Sequence, residues 1–281
     1  MNYAIDVLCA TMQISRSAYY AYQKGKTYVP KVEKVVLAQE VKTIFEIHKR
    51  CYGSRRIHHS LNQKGIKVGR YAIRSLMHKQ GLQAIQPKSF VPKTTNSKHK
   101  LGYSPNLLAD KNGSFPTKTN QVYVGDITYL PLKEGKFLYL NMWMDLYSRT
   151  IVGWKIDVKM DDTLVIDSLK QAIFKRNPKA GLIIHSDRGG QYASIDFRIL
   201  LEKYNFKQSM SAADNPYDNA FAESFFSRFK AETELKMAFE DIEEARKKVF
   251  EYIEMYYNTQ RLHSGIGYET PLNFERKTSK I

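Results

Sequence analysis

Three carboxylates in the second half of the chain carry its strongest chemical signal. Asp126 lies in Q-V-Y-V-G-D-I-T-Y-L, Asp187 in H-S-D-R-G-G-Q-Y and Glu223 in N-P-Y-D-N-A-F-A-E-S-F-F, with 35 residues between the last two. Carboxylate oxygens suit hard divalent cations. Two such ions about 3.5–4 Å apart can activate the attacking oxygen and stabilise the leaving oxygen of an in-line phosphoryl displacement. The pattern points to Asp126, Asp187 and Glu223 as catalytic residues holding two Mg2+ (or Mn2+) ions.

The local contexts sharpen this reading. Asp126 stands among Val122, Val124 and Ile127, in a strand otherwise fit for a core, where a charge is unfavourable unless paired or bound to metal. Asp187 follows Ile183-Ile184-His185-Ser186 and precedes Arg188-Gly189-Gly190; an acid just past a buried strand, followed by glycines, belongs at the rim of a cleft. Glu223 falls on a helix with Ala220, Phe221, Phe225 and Phe229 able to pack inward, and Asn219, Ser227 and Lys230 share its face. Lys230 is therefore placed to hold a nucleic-acid phosphate. The bland alternatives are a strand-edge acid, a turn aspartate, an exposed helix glutamate and a surface lysine. Asp145 is the rival acid, read as pairing with Arg149 or supporting the site. His185 either orients water or DNA, or is a buried, hydrogen-bonded histidine. Asp218, in the turn that opens the Glu223 helix, reads as structural.

These side chains need a scaffold, and the periodicities supply one. Strand-like runs at 121–131, 136–147 and 150–157 precede a helix capped by Asp161, with Lys-Glu-Gly-Lys marking a hairpin between the first two. A strand over Gly181–His185, a helix near 194–204, a short strand near 206–211, the Glu223 helix and a helix over about 240–257 follow. Three antiparallel strands and then alternating helices and strands predict an α/β domain with a mixed five-stranded sheet and flanking helices, the ribonuclease-H-like pattern. Upstream, short helices over 3–11, 15–23 (N-capped by Ser15), beyond Pro30, 55–63 and 70–80 predict a small all-α, helix-turn-helix-like region. Arg70, Arg74 and His78 form a stripe on the last helix that could track phosphates. The expected divisions are a helical DNA-binding region over 1–85, a basic linker over 86–120 and a catalytic core with a helical tail over 121–281.

Charge divides the chain in the same way. Its net charge of +16 lies entirely in residues 1–120, which hold 21 Lys and Arg against five Asp and Glu, whereas 121–281 hold 23 of each. A basic module joined to a balanced one predicts that the first holds a polyanion on which the second works. Cys9 and Cys51 make neither a disulfide framework nor a zinc spacing. With no apolar run of about 18 residues and no disulfide framework, a reducing, cytoplasmic setting is expected.

Six ordered motifs, Y-G-S-R-R-I, D-I-T-Y-L, D-L-Y-S-R-T-I-V-G-W, H-S-D-R-G-G-Q-Y, N-P-Y-D-N-A-F-A-E-S-F-F-S-R-F-K and Y-N-T-Q-R-L-H with G-Y-E-T-P, resemble the OrfB product of bacterial two-frame insertion-sequence transposases. These belong to the DDE transposase and retroviral-type integrase superfamily. The resemblance runs nearly end to end; Tyr123 stands where that family usually has Trp. It implies a ribonuclease-H-like integrase catalytic core, a D,D(35)E triad of Asp126, Asp187 and Glu223, and metal-dependent DNA strand cleavage and strand transfer. Arg55 and Arg56, in Y-G-S-R-R-I, join Arg70, Arg74 and Lys230 as expected DNA contacts. Implied partners are DNA (element ends and target), the upstream-frame product OrfA or its fusion, and further copies of the chain on DNA, with no membrane. Two other readings stay open: a non-enzymatic DNA-binding regulator with a decayed core, and a nuclease of the same fold that only hydrolyses.

Overall fold

The computed structural model describes residues 4–24, 32–87, 102–108, 115–211, 220–233 and 238–279, which fall into two compact units, Met1–Gln83 and Ala84–Ile281. The first unit is all helical: α1 (Ile5–Thr11), α2 (Arg16–Gln23), α3 (Val32–Ile47), α4 (Ser54–Gln63) and α5 (Arg70–Lys79). The Ser15 hydroxyl accepts the Ala18 amide (3.2 Å) and caps α2 as expected. Val41, Ile44 and Phe45 of α3 are buried, as are Ile57 and Leu61 of α4 and Ile73 and Met77 of α5, and these three helices pack on one another. Gly65, at φ +81°, reverses the chain after α4. It is a left-handed conformation that glycine adopts without strain. Three packed helices with a tight turn before the last form a helix-turn-helix-like arrangement.

The second unit is built on one sheet of β1 (Val122–Pro131), β2 (Phe137–Asp145), β3 (Ile151–Asp157), β4 (Ile183–Ser186) and β5 (Lys207–Met210). Their order is β3-β2-β1-β4-β5. β1, β2 and β3 pair antiparallel, while β4 runs parallel to β1 and β5 parallel to β4. The helices are α6 (Asp162–Arg176), α7 (Ile195–Lys203), α8 (Ala220–Glu232), α9 (Ile242–Phe250) and α10 (Pro271–Thr278).

Strand alternation sorts the side chains into two cores. Val122, Val124, Leu140 and Met142 meet Phe225, Phe226 and Phe229 of α8 on one face. Tyr123, Trp143, Val152 and Ile184 meet Val165 and Leu169 of α6 and Phe197 of α7 on the other. Asp161 occupies the position before α6, where its carboxylate accepts the Thr163 hydroxyl (2.6 Å).

Two features differ from the sequence expectation. The helix expected over 240–257 is α9 continued by a π-helical turn, Glu251–Tyr257. Part of the expected linker also packs as catalytic-unit structure. The Leu107 amide donates to Ser209 Oγ (2.9 Å), Ser104 Oγ to Gln208 (2.7 Å) and the Asn120 amide to Asp145 (2.7 Å). A Pro-, Ser- and Asn-rich stretch has no periodicity to betray such docking, because its contacts are backbone and hydroxyl bonds rather than an apolar face.

Candidate active site

Asp126 lies midway along β1, on the face that carries Val122, Val124 and Leu130 into the α8 core. β4 pairs with β1 in parallel, with Val124 opposite His185. Continuing that register by two places puts Asp187, just past the end of β4, alongside Asp126. Asp187 turns back on its own loop, where its Oδ1 accepts the Gly189 amide (3.0 Å). A Cβ on Gly189 would lie 3.1 Å from that oxygen, so the glycine keeps the loop tight under the carboxylate. Glu223 is exposed in the first turn of α8, the helix that packs on β1.

Electrostatics ties the three together. The Asp126 carboxyl is held well above the usual range by burial, then by the Asp187 charge, with Glu223 adding to the effect; the Ile127 amide and Lys230 pull the other way. Burial and Asp187 also raise Glu223. The Asp187 charge thus disfavours ionisation of both Asp126 and Glu223, and the three form an all-oxygen donor set. Among the described residues, however, no group of three or more His, Cys, Asp or Glu is gathered tightly enough to hold a metal ion as it stands.

Lys230, on the same helix as Glu223, has its ammonium disfavoured by burial and favoured by Asp126. Its charge therefore faces the site. Arg70 and Arg74 are exposed on α5, with Arg70 Nε 3.5 Å from Ser54 Oγ. Arg55 is exposed on α4, but Arg56 is half-buried, donates to the Cys51 carbonyl (3.2 Å) and lies over the Tyr52 ring (5.5 Å). Asp218 and Asn219 lie outside the described residues.

The two doubtful neighbours are structural. Asp145 is fully buried and accepts the amides of Asn120 (2.7 Å), Tyr147 (2.9 Å) and Ser148 (3.2 Å). It makes no ion pair with Arg149, whose guanidinium stacks on Phe221 instead (3.9 Å). His185 is fully buried and bonded to Ser209 Oγ (2.8 Å) and Ser211 Oγ (3.3 Å), the buried, hydrogen-bonded histidine of the second reading.

Sequence reasoning missed Asn141 and Tyr192. With its amide turned to satisfy every neighbour, Asn141 donates to the Asp126 carbonyl (3.0 Å) and to Tyr192 Oη (2.6 Å), and accepts from Ser168 Oγ (2.6 Å) and Trp143 Nε1 (3.2 Å). The Tyr192 phenol is raised by burial and by the charges of Asp187 and Asp126. A polar residue at the centre of the apolar run F-L-Y-L-N-M-W-M was the available signal.

A helix-turn-helix-like unit followed by a mixed-sheet α/β unit, with Asp126 on its central strand, Asp187 just past the neighbouring strand and Glu223 on a covering helix, has the architecture of an integrase-core polynucleotidyl transferase. The family models and sequence relatives agree. Residues 116–216 and 204–271 match the family described as Integrase core domain, and 32–90 the HTH-like domain. The transposase for insertion sequence element IS904 from Lactococcus lactis is 41% identical, over 88% of this chain and 96% of that protein. An insertion element IS600 31 kDa protein from Shigella sonnei is 38% identical (96% and 98%), and the transposase InsF for insertion sequence IS3A from Escherichia coli 35% (98% and 95%). A solved HTLV-2 integrase catalytic core domain aligns at a TM-score of 0.44 and 16% identity, over 57% of this chain and 98% of that one. The chain belongs to the insertion-sequence transposases of the DDE type, the family of the IS904 and IS3 proteins. No helix among the described residues is long and apolar enough to cross a membrane.

Proposed function

We propose that Asp126, Asp187 and Glu223 are the metal-binding catalytic triad of this transposase, holding two Mg2+ (or Mn2+) ions. The observation that carries this is the sheet register that sets Asp187 beside Asp126, with Glu223 on the helix packed on β1; the Asp187 charge disfavours ionisation of both other acids, which cations would relieve. The donor set fits the group, since all three are hard carboxylates and no thiol or imidazole competes. When bound, the ions would lower the pKa of an attacking water or hydroxyl and neutralise charge on the leaving oxygen.

The chain's own residues position this chemistry. β1 and β4 present Asp126 and Asp187 from a rigid sheet, Asn141, itself bonded to Tyr192, holds the Asp126 carbonyl, and α8 brings Glu223 and Lys230 over them. Lys230 supplies a fixed cation to a phosphodiester laid across the site. Water breaks the phosphodiester at the element end and frees a 3′-hydroxyl. That hydroxyl then attacks a second phosphodiester, displacing one oxygen as another bonds, so no covalent enzyme intermediate forms. The basic residues of 1–120, including Arg55, Arg70 and Arg74, hold the DNA, while Arg56 serves chiefly to pack α4. Element ends and target DNA are the substrates; the upstream-frame product OrfA, or its fusion with this chain, and further copies of the chain are the proposed partners on DNA.

The test is Asp187→Asn, which removes a metal ligand and no phosphate-binding cation. Strand cleavage and joining in Mg2+ should fall by at least about a thousandfold, of the order lost when an essential catalytic group is removed, with DNA affinity in EDTA unchanged. Robust joining by this variant would sink the assignment.

A further inference from the structure

Arg149 closes the β2–β3 turn in a left-handed conformation (φ +65°), with its amide on the Asp145 carbonyl (2.8 Å). The Asp145 carboxylate, held by the Asn120, Tyr147 and Ser148 amides, stiffens this turn from within. The Arg149 side chain is 7% exposed, yet its Nε and Nη1 find no hydrogen-bond partner. Burial disfavours this cation, and the charges of Tyr257 and Asp145 offset only part of that. Against its plane it has an aromatic face. Its guanidinium carbon lies 3.9 Å from the Phe221 ring centroid and 5.9 Å from that of Phe115, and the two rings meet edge to face at 5.7 Å. The ring quadrupole attracts a cation most when both are desolvated, and a planar guanidinium stacks where an ammonium cannot.

Phe221 shares the first turn of α8 with Glu223. We infer that Arg149 is a positioning residue: by stacking on Phe221 it pins that turn to the β2–β3 turn and so fixes where Glu223 meets Asp126 and Asp187. The inference rests on the reading of those three acids as the metal site. It makes the D-L-Y-S-R motif part of the catalytic geometry although none of its side chains touches the acids. Because Nε and Nη1 donate to nothing, Arg149→Lys keeps the charge and removes mainly the stacked plane; Phe221→Leu removes the other half of the same contact.

Four readouts test this on the full chain: binding of Mn2+ alone followed by its EPR signal, the Mg2+ concentration that half-saturates strand cleavage, thermal melting, and DNA affinity in EDTA. Each single variant should weaken Mn2+ binding and raise the Mg2+ requirement by roughly tenfold, as for other residues that orient metal ligands. Excess Mg2+ should restore most of the cleavage, and DNA affinity in EDTA should not move. The double variant should be no weaker than the weaker single, because both remove one contact. Wild-type Mn2+ affinity in both variants, or a cleavage loss that Mg2+ does not relieve and that tracks loss of folded protein on melting, would overturn the positioning role. Glu223→Gln separates the two claims. If it binds Mn2+ like the wild type, the triad reading fails; if it loses Mn2+ while Arg149→Lys does not, only the positioning role fails.

Discussion

At the scale of single residues, the catalytic sheet depends on side chains that are absent as much as on those that are present. A Cβ on Gly153 of β3 would lie 2.3 Å from the Ser168 carbonyl oxygen and 2.9 Å from the Ala172 nitrogen. Both are backbone atoms of α6 and cannot swing away. Gly153 thus lets α6 approach the sheet closely enough for Ser168 to receive the Trp143 indole N–H (3.0 Å) and, through Asn141, to join the network behind Asp126. Gly153→Ala should destabilise the fold by about 3 kcal/mol, the upper range for overpacking. For a unit of this size that is a fall in Tm of roughly 6–12 °C. Calorimetry of the full chain would check it, and an unchanged Tm would mean that α6 can ride outward without loss.

At the scale of elements, α8 is the part that must be placed, because it carries both Glu223 and Lys230. Its last turn is anchored by a buried ion pair. Arg261 donates to both oxygens of Glu232 (2.7 and 2.6 Å), and the Tyr252 hydroxyl adds a third bond (2.9 Å). Arg261 and Glu232 are almost wholly buried, so the pair gains little over an apolar replacement, but breaking it strands a charge. Glu232→Leu alone should therefore lower stability by about 3–5 kcal/mol, whereas Glu232→Leu with Arg261→Met should recover much of that. Urea unfolding of both variants measures the order. A double variant weaker than the single would show that the pair stabilises by more than mutual neutralisation. Within the tail motif Y-N-T-Q-R-L-H, Arg261 acts on α8 from 29 residues away, a contact that no periodicity announces.

At the scale of the whole molecule, charge and chemistry are segregated along the chain. The excess of 16 positive charges lies in residues 1–120, while 121–281 are balanced. Neutralising phosphates releases counterions, so the slope of log K against log salt counts the contacts, at about 0.9 per phosphate on B-DNA. Arg70→Ala and Arg74→Ala should each lower the slope of the full chain by about one. Lys133→Ala, whose ammonium is paired with Glu240 in the balanced region, should leave it unchanged. Equal slopes for all three variants would mean that the basic segment is incidental and that the core does its own DNA holding.

Much of this was legible in the sequence because the signals were local. A strand-embedded Asp126, an Asp187 at a strand end before glycines and the antiparallel-then-alternating element order each follow from nearest-neighbour rules of alternation, turn chemistry and burial. Only the tertiary structure decided which polar residues serve the scaffold. The sequence leaves the roles of Asp145 and His185 open, yet three backbone amides occupy the first and two serine hydroxyls bond the second. The sequence offers Asp145 as a partner for Arg149 and gives no signal for Arg261, yet the first is buried on an aromatic ring and the second in an ion pair. The physical reason is common to all four. The sequence records what a side chain can do, but burial and the partners brought from distant segments determine whether that capacity is already satisfied inside the fold or left open at the cleft.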